Sequence, residues 1–377
     1  IILGITVALI SLRIHAQQQI IPLTKQFQQA LQAKDFLSAR VLIKNIASLK
    51  PNRSQWNTVN KLLISNEPIG YDIIYKWGAL KETLSLLSPQ EKKIRDLILQ
   101  ADQWMLEEHF QASFSQFQKI AKTLKEELKA GDQENFLLYQ SVIHSMSRAL
   151  YGAGRYHESV EVNSWIDPRY PKYRQVLFER MWEGFRAHNV SIAMGAIASQ
   201  RTVFFAQFLE PETYLLMIYL LKSLCRTDQI EIVRAELTEF QNKVKSLGTT
   251  KITEWARFDL EYFNLYKLIN AQNPQTVRFG ITQAQREKEK EKIKTSLLNH
   301  VKQLGARLSK ELEMVKAYAS LAISAQPLKA NSMILTTRDE IAARDRESWK
   351  LDDAEDWVDE TGRHLYVGTN LCIQEAR

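Results

Sequence analysis

The chain has 377 residues, 45% hydrophobic and 25% charged, which is enough apolar material for a substantial core and excludes wholesale disorder. Only 13 Gly and 9 Pro punctuate it, so long helices are expected rather than many short strands. Its 50 basic residues are offset by 43 acidic ones, and the resulting net charge of +7 singles out no class of partner.

The first element is an apolar run. Residues 1–12 (IILGITVALISL) are apolar apart from Thr6 and Ser11, and Arg13 closes them. A bilayer span needs about 20 residues, so the run is too short to cross a membrane but matches the core of a secretory signal. The expectation is a signal peptide over 1–16, with cleavage after Ala16, an exported protein and no membrane span in the mature chain. Ile14 stands where such signals prefer a small residue. A buried first helix is the competing reading of the same segment.

Helix pairs follow, each with a small residue in its second helix and an aromatic or aliphatic residue one turn later. Over 20–51 these are Ala39 and Ile43, with Phe36 and Ile46 around them and Pro51 closing the pair. Over 94–127, Ala101 and Trp104 precede Phe110, Ser113, Phe117 and Ile120. From Gln140 the pattern continues with Ser147, Leu150, Gly154, Tyr156 and Ser159. It departs at polar Asn163 and stops early at Asp167-Pro168. From about Arg174, Ala193 and Ile197 fit, but Met181 is bulky where a small residue belongs. The next pair opens at Pro211, a good first helical residue, and joins Tyr214–Leu224 to Gln229–Phe240, with Ile218 in place of a small residue. Between the first two clear pairs, Asn66–Gly70 reads as a turn. Ser88-Pro89-Gln90-Glu91 reads as a capping box that starts a helix.

Small residues let paired helices approach closely, and the repeat length is about 34 residues. In this pattern the chain resembles the tetratricopeptide superfamily over about 18–245, in degenerate form. The resemblance implies an all-α right-handed superhelix of helix pairs, with the first helices lining a concave binding face. Carried onto this register, the face offers His144, Arg148 and Tyr151, then Phe178, Trp182, Phe185 and Arg186, then Tyr219 and Lys222. Aromatic and Arg side chains beside one another are the usual anchors of interfaces, so a groove for a peptide or protein partner is expected, its cations meeting acidic groups of that partner. The same rings packed into neighbouring helices are the rival reading.

After Gly248 the pattern changes. Trp255–Ile269 is apolar at helical spacing, and a loop runs through Asn273-Pro274 to Gly280. Thr282 and Gln285 form another capping box, and a helix of about 282–323 carries Ile293, Leu297, Val301, Leu304, Leu308, Leu312, Val315 and Ala319 on one face. It is expected either to cap the repeat array or to pair with a coiled-coil partner. The basic run Arg286–Lys294 alternates with Glu and is expected to be a solvated face with internal ion pairs, not a nucleic-acid patch. The last stretch, Asp352–Val367, alternates either side of Glu360-Thr-Gly362 and suggests a small β-hairpin. The expected domains are 17–245 (repeats), 246–348 (helical extension) and 349–377 (tail).

Two cysteines, Cys225 and Cys372, form either one long-range bridge or two free thiols. No GxxxxGK[ST], GxGxxG, GxSxG or HExxH occurs, and His109, His144, His157 and His188 are scattered singly. The acidic run Asp352, Asp353, Glu355, Asp356, Asp359 is broken by Trp357 where a further calcium ligand is needed. No catalysis, metal or cofactor is expected. Asn52-Arg-Ser54 and Asn189-Val-Ser191 match the glycosylation triplet, which matters only in a eukaryotic secretory pathway.

Repeats and tail together are similar to exported repeat proteins of predatory or gliding delta-class bacteria, which implies a non-catalytic scaffold of the cell envelope, in the periplasm or at the outer membrane. A regulator or accessory subunit of a cell-wall, secretion or motility complex, and a cytoplasmic adaptor, are the alternatives.

Overall fold

A computed structural model describes residues 18–33, 35–49, 51–64, 89–129, 136–170, 172–202, 205, 210–247, 279–324, 364–366 and 370–374. The expected signal peptide, the Asn66–Gly70 turn, the Trp255–Ile269 helix and all of the expected hairpin except 364–366 lie outside these residues. The described residues are mostly α-helical and include no strand, which is consistent with an all-α fold. The helices are α1 (18–32), α2 (Phe36–Ser48), α3 (Arg53–Ile64), α4 (Pro89–Leu106), α5 (Phe110–Lys129), α6 (Phe136–Gly152), α7 (Tyr156–Asn163), α8 (Tyr173–Arg186), α9 (Val190–Gln200), α10 (Pro211–Ser223), α11 (Thr227–Leu247), α12 (Gln283–Ser324) and α13 (Leu371–Gln374). They form two compact units, and α4 and α12 contribute residues to both.

In the first unit, α1 to α3 bury a shared apolar core with the start of the α12 region. Ile20, Phe27, Ala30 and Leu31 come from α1, and Ala39, Leu42, Ile43 and Ile46 from α2. Trp56, Val59 and Ile281 complete the core. The helix starts are specified locally. Asp35 accepts from the Ser38 amide at 3.2 Å at the head of α2. Asn52 and Gln55 exchange amide-to-side-chain bonds at 2.9 Å at the head of α3. The Thr282–Gln285 capping box forms as expected, with the Thr282 amide donating to Gln285 at 2.9 Å.

The basic run on α12 is not simply a solvated face. Arg286 and Glu289 are both buried. Arg286 meets Asp35 at 2.6 Å, while Glu289 meets Arg40 and, at 2.8 Å, Lys44. The reason is charge complementarity across helices: one edge of α2 presents an acid followed by two bases, and the α12 run answers it. An internal pair of the expected kind remains at Lys294–Glu291, 3.5 Å.

In the second unit each helix from α5 to α11 packs on its neighbour in sequence. Small residues sit at the crossings. The Ser113 hydroxyl donates to the Ala101 carbonyl at 2.8 Å, and the Ser159 hydroxyl lies 2.9 Å from the Ser147 carbonyl. Between α8 and α9 the tight point has moved: a Cβ on Gly184 would come within 2.7 Å of the Ala193 nitrogen, so Gly184 replaces the expected small residue and bulky Met181 is buried beside it. Polar Asn163 is also buried, its amide donating to the Val176 carbonyl at 3.4 Å. The α12 stripe from Val301 to Ala319 is buried, as its spacing predicts, and so are Ile293 and Leu297 in the first unit. Cys225, in the α10–α11 turn, is bonded to Cys372 with Cα atoms 5.1 Å apart, which decides between bridge and free thiols.

Candidate functional site

The residues expected on the binding face come from α6, α8 and α10, and the structure joins most of them into two clusters. One is ionic and half-buried. His144 is 2% exposed, its Nε2 lies 2.8 Å from Glu179, and its ring meets Tyr170 edge-on. Arg148 grips the same Glu179 carboxylate through Nε at 2.9 Å and Nη2 at 2.6 Å. Burial alone pushes Glu179 up, but the bonds from His144 and Arg148 overcome it and hold the carboxyl down to about 2. Burial pushes His144 down, so a neutral imidazole donates Nε2–H and Arg148 supplies the positive charge. His144 and Arg148 are therefore both engaged within the protein.

Directly beneath, Glu183 is 1% exposed and accepts from Ser147 and, at 2.7 Å, from Ser159. Its Oε2 has no hydrogen-bond partner among the described residues, and burial pushes the carboxyl up against the two hydroxyl bonds. The small residues that allow α6 and α7 to touch thus also cradle a carboxyl from α8.

The second cluster is aromatic. Trp182 meets Phe185 edge-on with centroids 5.9 Å apart, Phe185 lies 6.4 Å from Tyr219, and Tyr151 meets Tyr156 at 5.3 Å. Arg186, the exposed member, bonds the Tyr156 hydroxyl and stacks 4.7 Å from that ring's centre. Phe178 and Lys222 are half-buried on α8 and α10. At the head of α10, Glu210 pairs with Arg174 at 3.0 Å and more loosely with Arg307, while Glu212 accepts from Trp182. Burial, then the charge of Glu210, pushes Glu212 up; burial does the same to Glu311.

Glu179, Glu183, Glu212 and Tyr156 were not among the expected site residues. One signal did exist. Glu179 stands 35 residues after His144 and 31 after Arg148, and Glu183 stands 36 after Ser147, spacings close to one repeat. Side chains one repeat apart on successive first helices are neighbours, so polar residues at that spacing are candidate pairs.

Among the described residues no group of three or more His, Cys, Asp or Glu is placed to hold a metal ion, and no helix is long and apolar enough to cross a membrane. No family model, curated protein or solved structure matches the chain.

Proposed function

We propose that the protein is a non-catalytic scaffold of tetratricopeptide-like architecture that binds a protein or peptide partner on the face shared by α6, α8 and α10. The observation that carries this reading is the run of rings Trp182, Phe185 and Tyr219, with the Tyr151–Tyr156 pair on the preceding helices, all half-buried, and Arg186 exposed over Tyr156. Half-buried aromatics beside an Arg are the side chains that dominate interface energies. Packing of each helix on its sequence neighbour, and polar contacts spaced by 35 and 36 residues, support a solenoid of stacked pairs.

The Cys225–Cys372 bond supports an exported protein of the bacterial envelope, since such bonds persist in oxidising compartments.

The test is affinity capture after mild cross-linking, comparing the wild type with Arg186→Glu and Trp182→Ala, each shown by circular dichroism to stay helical. Partners seen with the wild type are expected to fall at least tenfold with either variant. Capture unchanged by both removes the face from consideration.

A further inference from the structure

Near its end the chain lies across the second unit as a bound peptide does. The Tyr366 amide donates to the Ser191 carbonyl at 3.0 Å, and His364 Nδ1 lies 2.9 Å from the Ser199 hydroxyl, both on α9. Between these contacts the backbone settles onto Gly195. A Cβ there would stand 1.9 Å from the His364 carbonyl oxygen, so no residue other than glycine leaves room for the segment. Further on, the Leu371 amide donates to the Leu224 carbonyl at 3.1 Å, and Cys372 is bonded to Cys225. Two of these contacts take backbone amides to backbone carbonyls, one is a side-chain pair, and the notch fits main chain. Main-chain hydrogen bonds of this kind are how a polypeptide segment is held by a docking surface.

We propose that the surface of α9 around Gly195, with the α10–α11 turn, is an acceptor site for a polypeptide segment. Its occupant is the chain's own residues 364–366 and 370–372, and the Cys225–Cys372 bond is a dithiol-sensitive lock on that occupancy. Neither cysteine is fully buried, which leaves the bond a route to attack by a dithiol. One of its thiolates attacks a sulfur of the bond, a mixed disulfide forms, and its second thiol closes a ring. Two protein thiols are released and the dithiol leaves oxidised. The segment is then held by hydrogen bonds and the notch alone, and the site opens.

The test uses the full chain. In the wild type, hydrogen exchange at the Tyr366 and Leu371 amides is expected to speed up at least tenfold on adding dithiothreitol, while α6 and α8 stay protected. Unchanged protection overturns the lock. For the site itself, Cys372→Ser with Tyr366→Pro frees the tail and leaves Cys225 as the lone thiol. This chain is mixed with a synthetic peptide of residues 364–374 in glutathione buffer, and disulfide capture on Cys225 is read by mass spectrometry. The native peptide is expected to be captured at least tenfold more than a scrambled one with cysteine at the same place, and a Tyr366→Pro peptide is expected to fall to the scrambled level. Gly195→Val in the chain has the same expected effect; the peptide variants keep the test valid even if that chain misfolds. Equal capture of native and scrambled peptides overturns the site.

Discussion

Glu179 and Glu183 stand one turn apart on α8, yet their surroundings drive them in opposite directions. Glu179 is held down to about 2 in the fold against 4.5 unfolded, so its contribution is present above pH 4.5 and is lost as pH falls towards 2. Removing the carboxylate with Glu179→Gln is expected to cost about 2 kcal/mol at pH 7. In urea titrations that difference should shrink as pH approaches 2. Glu183 is raised, so the folded chain holds its proton more tightly than the unfolded chain does. Stability should therefore decline as pH rises above 4.5 towards the folded value. Glu183→Gln is expected to flatten that decline and to equal or exceed the wild type by about 1 kcal/mol at pH 8. A variant that keeps the wild-type slope shows that Glu183 is not its source. At this scale the sequence conveyed size better than chemistry. Ser147 and Ser159 are legible as small residues, but that they hold a carboxyl from the next pair depends on a contact 36 residues away.

Helix starts were the most legible elements, because a cap is decided within four residues. Pro211 opens α10 and the Thr282 box opens α12, as their residues predict. Crossings are harder to read, since any of several residues along a helix can serve as the point of closest approach. The α8–α9 pair uses Gly184 where the repeat register points to Met181. Gly184→Ala puts a methyl group against the Ala193 backbone and is expected to cost about 2 kcal/mol by overpacking. Thermal unfolding with a midpoint equal to the wild type contradicts that crossing. The α12 stripe was legible as a buried face through its period. The pairing of Arg286 and Glu289 with α2 was not, because local alternation of charge looks the same whether its partner is water or another helix.

For the whole molecule, the mostly helical architecture of the described residues follows from scarce Gly and Pro and from helical periodicity, and both are legible in the sequence. The long tie between Cys225 and Cys372 is not, because spacing alone leaves bridge and free thiols equally open. Closing a loop with sequence separation 147 restricts the unfolded chain strongly. Loop entropy of that size corresponds to about 5 kcal/mol, so Cys225→Ser with Cys372→Ser is expected to lower stability by several kcal/mol under oxidising conditions. The same pair of substitutions should change little when the wild type is reduced. Equal loss in both conditions shows that the side chains, rather than the bond, carry the effect.

The bond also divides the polymer mechanically. Pulled from its two ends, the chain can lengthen only before Cys225 and after Cys372, while everything between is a ring that bears no tension. A thiol reductant in the bath cuts that ring and should add about 500 Å of extensible contour, at about 3.4 Å for each of the residues enclosed. An optical trap reads such a step directly.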